Sequence, residues 1–539
     1  MIAHYRPIFI IFLSLAFGIW LSKLYLYDSP WFAYTAFIIF GVMFLCILLH
    51  KIFKRVKFFE FFFKIKWHLI TMIIPIIIGT GLFQITYHQQ QINYMPSDTE
   101  VYGIYGEVGT NYIEKEKGVY FILENASVVT EKETSPLDFN VFVYLYYKDG
   151  VKYTQEELSQ ILPGNIVLIQ STLSQFPVFD ESEINSFAYS KGFQYSTFTY
   201  LDNITLFDGQ MGFWDSIREH IRNTYKDYMG ERYAGLAFSI LVGDKTGLEP
   251  DIVYNFQASG IMHVIAVSGL NTAFIMMLLL FVLNRIRAKK YVKLGVVIVV
   301  LAFYALLCDM TPSVVRASLM SIFLLIGHLF GKQPDNLNSI SLSGIILLLM
   351  FPLYVFDLGF LLSYAGVFGI FLLYKPLSEF LASKFKFKKL TDAIALTLSA
   401  TLATTPITIN AFGYISLVGL FANLILVPLF GYAFMILFGI TLLTLILPFA
   451  GHLLTLAQAG FWLVDKGAYI FASIPYSAIG AFPVPDWASV GYFTSMFFAS
   501  RYCVAQTKYK VILSSIGISI YFIGTWMYVI NTVATLCFT

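Results

Sequence analysis

The sequence predicts a polytopic α-helical membrane protein of about 12 spans, with one small β domain held outside the membrane. Three observations predict it. Of 539 residues, 58% are hydrophobic and only 13% are charged, where a soluble domain carries about 25% charge. Apolar runs close to the roughly 20 residues that a bilayer core requires recur along most of the chain. One interval, residues 92–212, breaks that pattern with short β-branched and aromatic stretches.

The amino-terminal region, residues 1–91, carries three apolar segments at 7–27, 31–50 and 69–88. Between the second and third lies KIFKRVKFFEFFFKIK, with Lys51, Lys54, Arg55, Lys57, Lys64 and Lys66 against the lone acid Glu60. An excess of bases in a short loop marks the cytoplasmic side. The amino terminus is then cytoplasmic, and residues 92–212 are extracytoplasmic. The run from Pro7 to Leu21 lacks a small-residue cleavage site and is followed at once by another, so it is expected to stay as a span. Cys46, Cys308, Cys503 and Cys537 lie in or beside apolar runs without metal-ligand spacing, so neither a disulfide framework nor a metal site is expected.

The outer interval has its own grammar. GIYGEV, VYFILENASVV, NVFVYLYY and NIVLIQSTL are separated by turn-forming or charged stretches. Size and strand count suit a Greek-key barrel of the OB type, and an unrelated β-sandwich fits the same composition. From Pro96 to Gly212 there are 17 acids and 6 bases, a net of −11, whereas the rest of the chain carries 29 bases and 16 acids, a net of +13.

Residues 213–255 form a helical connector, in which Phe213, Ile217, Ile221 and Tyr225 make one apolar stripe. The stripe suits a helix lying in the membrane interface or a soluble packing helix. Residues 256–539 form the membrane core. Its candidate spans are 261–284, 292–308, 313–330, 337–356, 358–374, 391–412, 415–447 (long enough for two), 452–473, 488–500 and 511–532. Segment 474–487 is either a short loop or a re-entrant piece.

Four stretches of the core carry polar groups where they are costly. ASGIMHVIAVSGLNTAF holds His263, Ser268, Gly269 and Asn271 at the start of an apolar helix. A break at Ser268-Gly269 suits a pore lining, since irregular backbone survives at membrane depth only against protein or a wet cavity. Ordinary packing between helices accounts for it equally well. CDMTPSVVRASLM places Asp309 at a turn and Arg316 one helical turn into the next span. Its guanidinium suits a phosphate in transit, a structural pair with Asp309 or Asp357, or a snorkelling position. FDLGFLLSYAGVFGI adds Asp357 and Ser363, and TTPITINAFGYISLVGLFANLILVP adds Asn410 and Asn423 beside helix-breaking Pro and Gly.

In this order, the stretches resemble the ComEC family of competence proteins. HVIAVSGLN (His263 to Asn271) is similar to the family's HLLAISGLH-like helix start. LVGDKTGLEP with Gly243 and Asp244, ASGI, PSVVRASLM, LSYAGVFGI and FGYISLVGLFANLILVP resemble its other core motifs, and NSFAYSKGFQYSTF resembles the pattern after its OB-type domain. The resemblance spans roughly residues 95–430. It implies a bacterial inner-membrane channel importing single-stranded DNA during natural transformation, with membrane lipid, a separate nuclease and a cytoplasmic translocation motor as partners. It also makes His263, Ser268, Gly269, Asn271, Asp309, Arg316, Asp357, Ser363, Asn410 and Asn423 the candidates for the pore or DNA path. Two departures stand out. Asn271 occupies the position of the family's usual second His. The HxHxDH motif of a metallo-β-lactamase-like domain, carried by longer members, is absent from this sequence.

No catalytic residue and no cofactor are therefore expected. The acidic outer domain opposes general DNA binding, which calls for a basic surface. It keeps open a transporter of another solute built on the same core, or a non-transporting scaffold.

Overall fold

The computed structural model describes residues 7–23, 38, 41, 66–92, 102–110, 112–115, 117–130, 134–158, 161–176, 178, 184–207, 209–329, 331, 336–500 and 507–538. The expected second span and the basic loop before Lys66 lie outside the described residues, apart from Ile38 and Gly41. The described residues divide into two compact units. One holds residues up to 220 together with 322–357, and the other holds 221–321 together with 358 onward.

In the first unit, helices Pro7–Lys23 and Lys66–Ile92 pack closely. Two glycines permit this approach: a Cβ on Gly18 would reach the Ile76 Cα at 2.8 Å, and one on Gly79 would strike the Leu15 carbonyl. Small residues at a crossing point let two apolar helices gain dispersion contacts where no hydrophobic driving force acts between them. Helix Asn336–Met350 also packs on Pro7–Lys23.

The described residues of this unit between 103 and 207 form a nine-stranded sheet. Its strands are β1 (Gly103–Val108), β2 (Ile113–Lys115), β3 (Gly118–Val129), β4 (Thr134–Pro136), β5 (Asn140–Tyr146), β6 (Ile166–Ile169), β7 (Ser174–Gln175), β8 (Phe193–Thr199) and β9 (Ile204–Phe207). The alternation of the sequence becomes a buried face: Val119, Phe121 and Leu123 on β3 and Val141, Val143 and Leu145 on β5 have no exposed surface. The pairing path runs β7-β8-β5-β3-β1-β6-β9, with β2 and β4 added to β3. β8 runs parallel to β5, and β9 runs antiparallel to β6. Only the turn Leu201–Asn203 separates β8 from β9. One nearly continuous strand thus borders both β5 and β6, and the path returns on itself.

The four strands expected from the sequence correspond to β1, β3, β5 and β6. β8 lies inside NSFAYSKGFQYSTF, after a short helix, Ser186–Lys191, that starts and stops by local chemistry. The Asn185 side chain accepts from the Ala188 N–H at 3.0 Å, and Gly192 closes the helix at φ +70°.

Helix Phe213–Val242, which belongs to the second unit from Ile221 onward, is broken at Gly230, whose φ of 68° and ψ of 161° suit only glycine. Along the expected stripe, Phe213 is 72% exposed while Ile221 and Tyr225 are buried. The Tyr225 and Thr441 hydroxyls pair at 2.5 Å. At its inner end the stripe is therefore a packing face.

Among the described residues, seven helices are long and apolar enough to cross a membrane. They are Leu69–Gln90, Lys290–Leu307, Pro312–Leu329, Leu358–Lys384, Lys388–Phe412, Gly419–Thr444 and Tyr509–Val529. Helices Pro7–Lys23, Gly269–Arg285 and Leu337–Met350 are apolar but shorter. The run 415–447, long enough for two spans, holds one helix, Gly419–Thr444, preceded by strand β10 (Tyr414–Ser416). β10 pairs with β11 (Ala478–Gly480), so segment 474–487 carries a short strand. Helices Leu358–Lys384 and Lys388–Phe412 form a close hairpin, where Gly369 admits the Ser399 carbonyl and the Ala403 methyl.

Candidate functional site

The site begins where helices end. Helix Phe213–Val242 stops at Gly243 (φ +95°), leaving carbonyls without intrahelical partners inside an apolar core. Such groups cost several kcal/mol unless they find partners. Two of them are taken up by distant side chains. The Asn271 amide donates to the Ile240 carbonyl at 3.0 Å, and the Cys308 thiol donates to the Leu241 carbonyl at 3.3 Å. A third carbonyl, Val267, accepts from the Ser313 hydroxyl at 2.9 Å. The Tyr304 hydroxyl lies beside Asn271 and Cys308.

The signature stretch is a break. Helix Pro250–Ala258 closes in a Schellman-type turn: the Ile261 N–H reaches the Phe256 carbonyl at 2.9 Å, with Gly260 at φ +78°. A 3-10 turn, Met262–Val264, follows, and the next helix starts only at Gly269. Ser268 caps it by accepting from the Leu270 N–H at 3.2 Å and donates to the Asn271 carbonyl oxygen at 3.4 Å. Gly269 brings this helix against Pro312–Leu329, where a Cβ would meet the Ala317 Cβ at 3.2 Å.

Arg316 sits beside that contact, 4% exposed. Its guanidinium lies over the Tyr364 ring, 5.3 Å from the centroid, a cation–π geometry. Asp309 is exposed at the turn before the arginine helix. It and Met310 both take left-handed backbone (φ 55° and 48°), a strain of about 1–3 kcal/mol per residue.

The structure thus gathers Ser268, Gly269, Asn271 and Arg316 at one junction, with Cys308, Ser313 and Tyr364. His263 is exposed in the turn that leads in, and Ser363 is half-buried next to Tyr364. Asn410 and Asn423 stand apart from it. Asn410 forms a reciprocal pair with the Val484 main chain, donating at 2.8 Å and accepting at 2.7 Å. Asn423 is half-buried in helix Gly419–Thr444, and its carbonyl oxygen makes no hydrogen bond among the described residues. Asp357 belongs to the other compact unit, directly before helix Leu358–Lys384. Among the described residues no three His, Cys, Asp or Glu side chains converge to hold a metal.

Sequence reasoning passed over Cys308, Ser313 and Asp465. The first two carry no pattern, because their role is to meet a carbonyl far away in sequence. Asp465 had a signal: it is the acid inside the apolar run FWLVDKGAYIF.

The ordered junction coincides with a family match. A family model described as Competence protein covers residues 240–505. This membrane core belongs to the ComEC family of competence proteins. The chain is 30% identical over 224 residues to ComE operon protein 3 of Bacillus subtilis, covering 42% of this chain and 28% of that protein. It is 27% identical over 250 residues to an uncharacterized protein of Aquifex aeolicus, covering 46% of this chain and 56% of the relative. The chain thus spans about a quarter and about half the length of the curated relatives it matches. No solved structure matches it.

Proposed function

We propose that this chain forms the inner-membrane conduit through which one strand of DNA is imported during natural transformation. The observation that carries the reading is Arg316. A permanently charged guanidinium is buried at a helix break in an apolar core, with one face held by Tyr364. A planar guanidinium is the group whose geometry matches a phosphate through two parallel N–H donors. Ser268, Asn271 and His263 frame the same break. Asp309, Ser363, Asn410 and Asn423 are proposed to act along the rest of the path.

The outer sheet is proposed to be an OB-type barrel. Supporting this are the parallel β5–β8 pair and the consecutive strands β8 and β9, which border β5 and β6 at opposite ends of the path. Tyr144 and Tyr146 on β5, Phe198 on β8 and Tyr200 just after β8 form a ladder, with neighbouring ring centroids 5.0 to 6.3 Å apart. Three of them, Tyr146, Phe198 and Tyr200, are 39–45% exposed. Aromatic faces stack on bases for about 1–3 kcal/mol per base and need no positive charge to do so. The domain then engages the strand by stacking, despite its net charge of −11. That same charge favours the second reading, a conduit for another solute.

The test is transformation in a deletion strain complemented with wild type, with Arg316→Ala, and with a chain lacking residues 96–212. Wild type restores DNA uptake and both variants fail to. Normal transformation in the deletion strain rejects DNA as the solute.

A further inference from the structure

We propose that Asp465 is a monovalent-cation acceptor within the membrane core, taking up a proton or a sodium ion. Asp465 lies in the apolar helix Leu454–Ala472, and its side chain is 3% exposed. One carboxylate oxygen, Oδ2, accepts from the Arg232 guanidinium at 3.0 Å and from the Tyr233 hydroxyl at 3.4 Å. The other, Oδ1, is buried and accepts no hydrogen bond among the described residues. A buried carboxylate oxygen that accepts no hydrogen bond is costly, and a proton or a cation is what satisfies it.

Arg232 does not supply that neutralisation alone, because it is shared. Glu249 pairs with it, and Asp251 lies 2.9 Å away. Three carboxylates on one guanidinium leave a formal excess of two negative charges. Glu249 and Asp251 are 44% and 57% exposed, so water serves them. The deficit falls on Asp465, the buried member.

Among the described residues, the elements packed on the Asp465 helix offer no second cation to its carboxylate. Helix Gly419–Thr444 packs on the Asp465 helix and contains no Asp, Glu, Lys, Arg or His; its Tyr432 is 66% exposed. Helix Pro250–Ala258 contributes Asp251 and Tyr254, the latter 65% exposed. The turn Pro448–Leu453 contributes His452, whose ring meets Tyr228 at 4.8 Å. Glu231 and Lys466, beside Arg232 and Asp465 in sequence, are both exposed.

Proton uptake places one proton from the aqueous side on Oδ1, while Oδ2 keeps accepting from Arg232. Sodium uptake places the ion against Oδ1 and leaves the carboxylate ionised. Either event removes one negative charge between the helix following the Gly230 break and helix Leu454–Ala472. The reading does not rest on DNA as the solute.

The experiment is infrared difference titration of the full chain in phosphatidylcholine vesicles, without DNA, between about pH 4 and 9. If the acceptor takes protons, a carboxylic-acid carbonyl band appears on acidification and shifts in deuterated water. Asp465→Asn loses that band, while Asp251→Asn keeps it. If it takes sodium, exchanging choline chloride for sodium chloride perturbs the ionised carboxylate band in wild type and not in Asp465→Asn. Should Asp465→Asn fail to fold, Asp465→Glu replaces it, and the assigned band must move in frequency. Identical titrations of wild type and the Asp465 variant in both arms overturn the proposal.

Discussion

The side-chain amide of Asn271 donates a hydrogen bond to the main-chain carbonyl of Ile240 at 3.0 Å, across 31 residues of sequence. Asn271 itself has no exposed surface, and Ser268 donates to its other end. A residue expected to face a path thus also ties two helix ends together. Asn271→Ala leaves the Ile240 carbonyl buried without that donor, a loss of about 1–3 kcal/mol. Thermal unfolding in detergent should show the drop. Asn271→His can restore a donor, so the histidine variant should be the more stable of the two. Equal stability of the two variants counts against this account.

Arg316 separates charge from geometry. Lysine keeps the positive charge but has no planar group to lie over Tyr364 and no bidentate edge. Arg316→Lys should therefore reduce transformation by about tenfold or more, the loss expected from about 1.4 kcal/mol of binding at a single step. Full uptake by the lysine variant would mean that charge alone suffices.

Gly260 stands at φ +78°, and a Cβ there would come within 2.8 Å of the Ser416 side chain and 2.9 Å of the Gly419 Cα. Left-handed backbone costs a non-glycine residue about 1–2 kcal/mol, and here the turn cannot shift without displacing the Ser416 hydroxyl from the Ala258 carbonyl, 2.9 Å away. Gly260→Ala should lower the unfolding midpoint, whereas alanine at Gly295, which has open space around it, should not.

One pH effect has a definite sign. Thr154 and Glu157 form a reciprocal capping box: the carboxylate accepts from the Thr154 N–H at 2.7 Å and from its hydroxyl at 2.8 Å. These bonds hold the Glu157 carboxyl below its ordinary value. A depressed folded value means the stabilisation is present above the unfolded value and is lost as pH falls through the folded one. The turn at residues 154–158 should loosen as pH falls below the ordinary glutamate range, and Glu157→Gln should flatten that dependence. Hydrogen exchange at residues 154–158 is the readout.

The aromatic ladder predicts a salt-tolerant interaction. Tyr146→Ala and Phe198→Ala, in the full chain, should each weaken single-stranded DNA binding by about 1–3 kcal/mol with little change in its salt dependence. Fluorescence anisotropy at two ionic strengths distinguishes this from phosphate contacts, whose loss lowers the salt slope.

Sequence alone determined what depends on local pattern. Low charge and long apolar runs marked the helices of the core, and alternation in GIYGEV, VYFILENASVV, NVFVYLYY and NIVLIQSTL marked four strands of the nine-stranded sheet. The polar break at Ser268-Gly269 and the position of Arg316 were readable too, because polar groups stand out against an apolar background. Tertiary structure alone decided the pairings. β8 joined the sheet beside β5, and β9 beside β6, though neither had been counted among the strands. Asn271 and Cys308 met the Ile240 and Leu241 carbonyls across 31 and 67 residues, and Asp465 met Arg232 across 233. Hydropathy and alternation are short-range properties of a chain. Which carbonyl or carboxylate a distant side chain must satisfy depends on where helices are broken and how closely glycine lets them approach, and that is settled only when they pack.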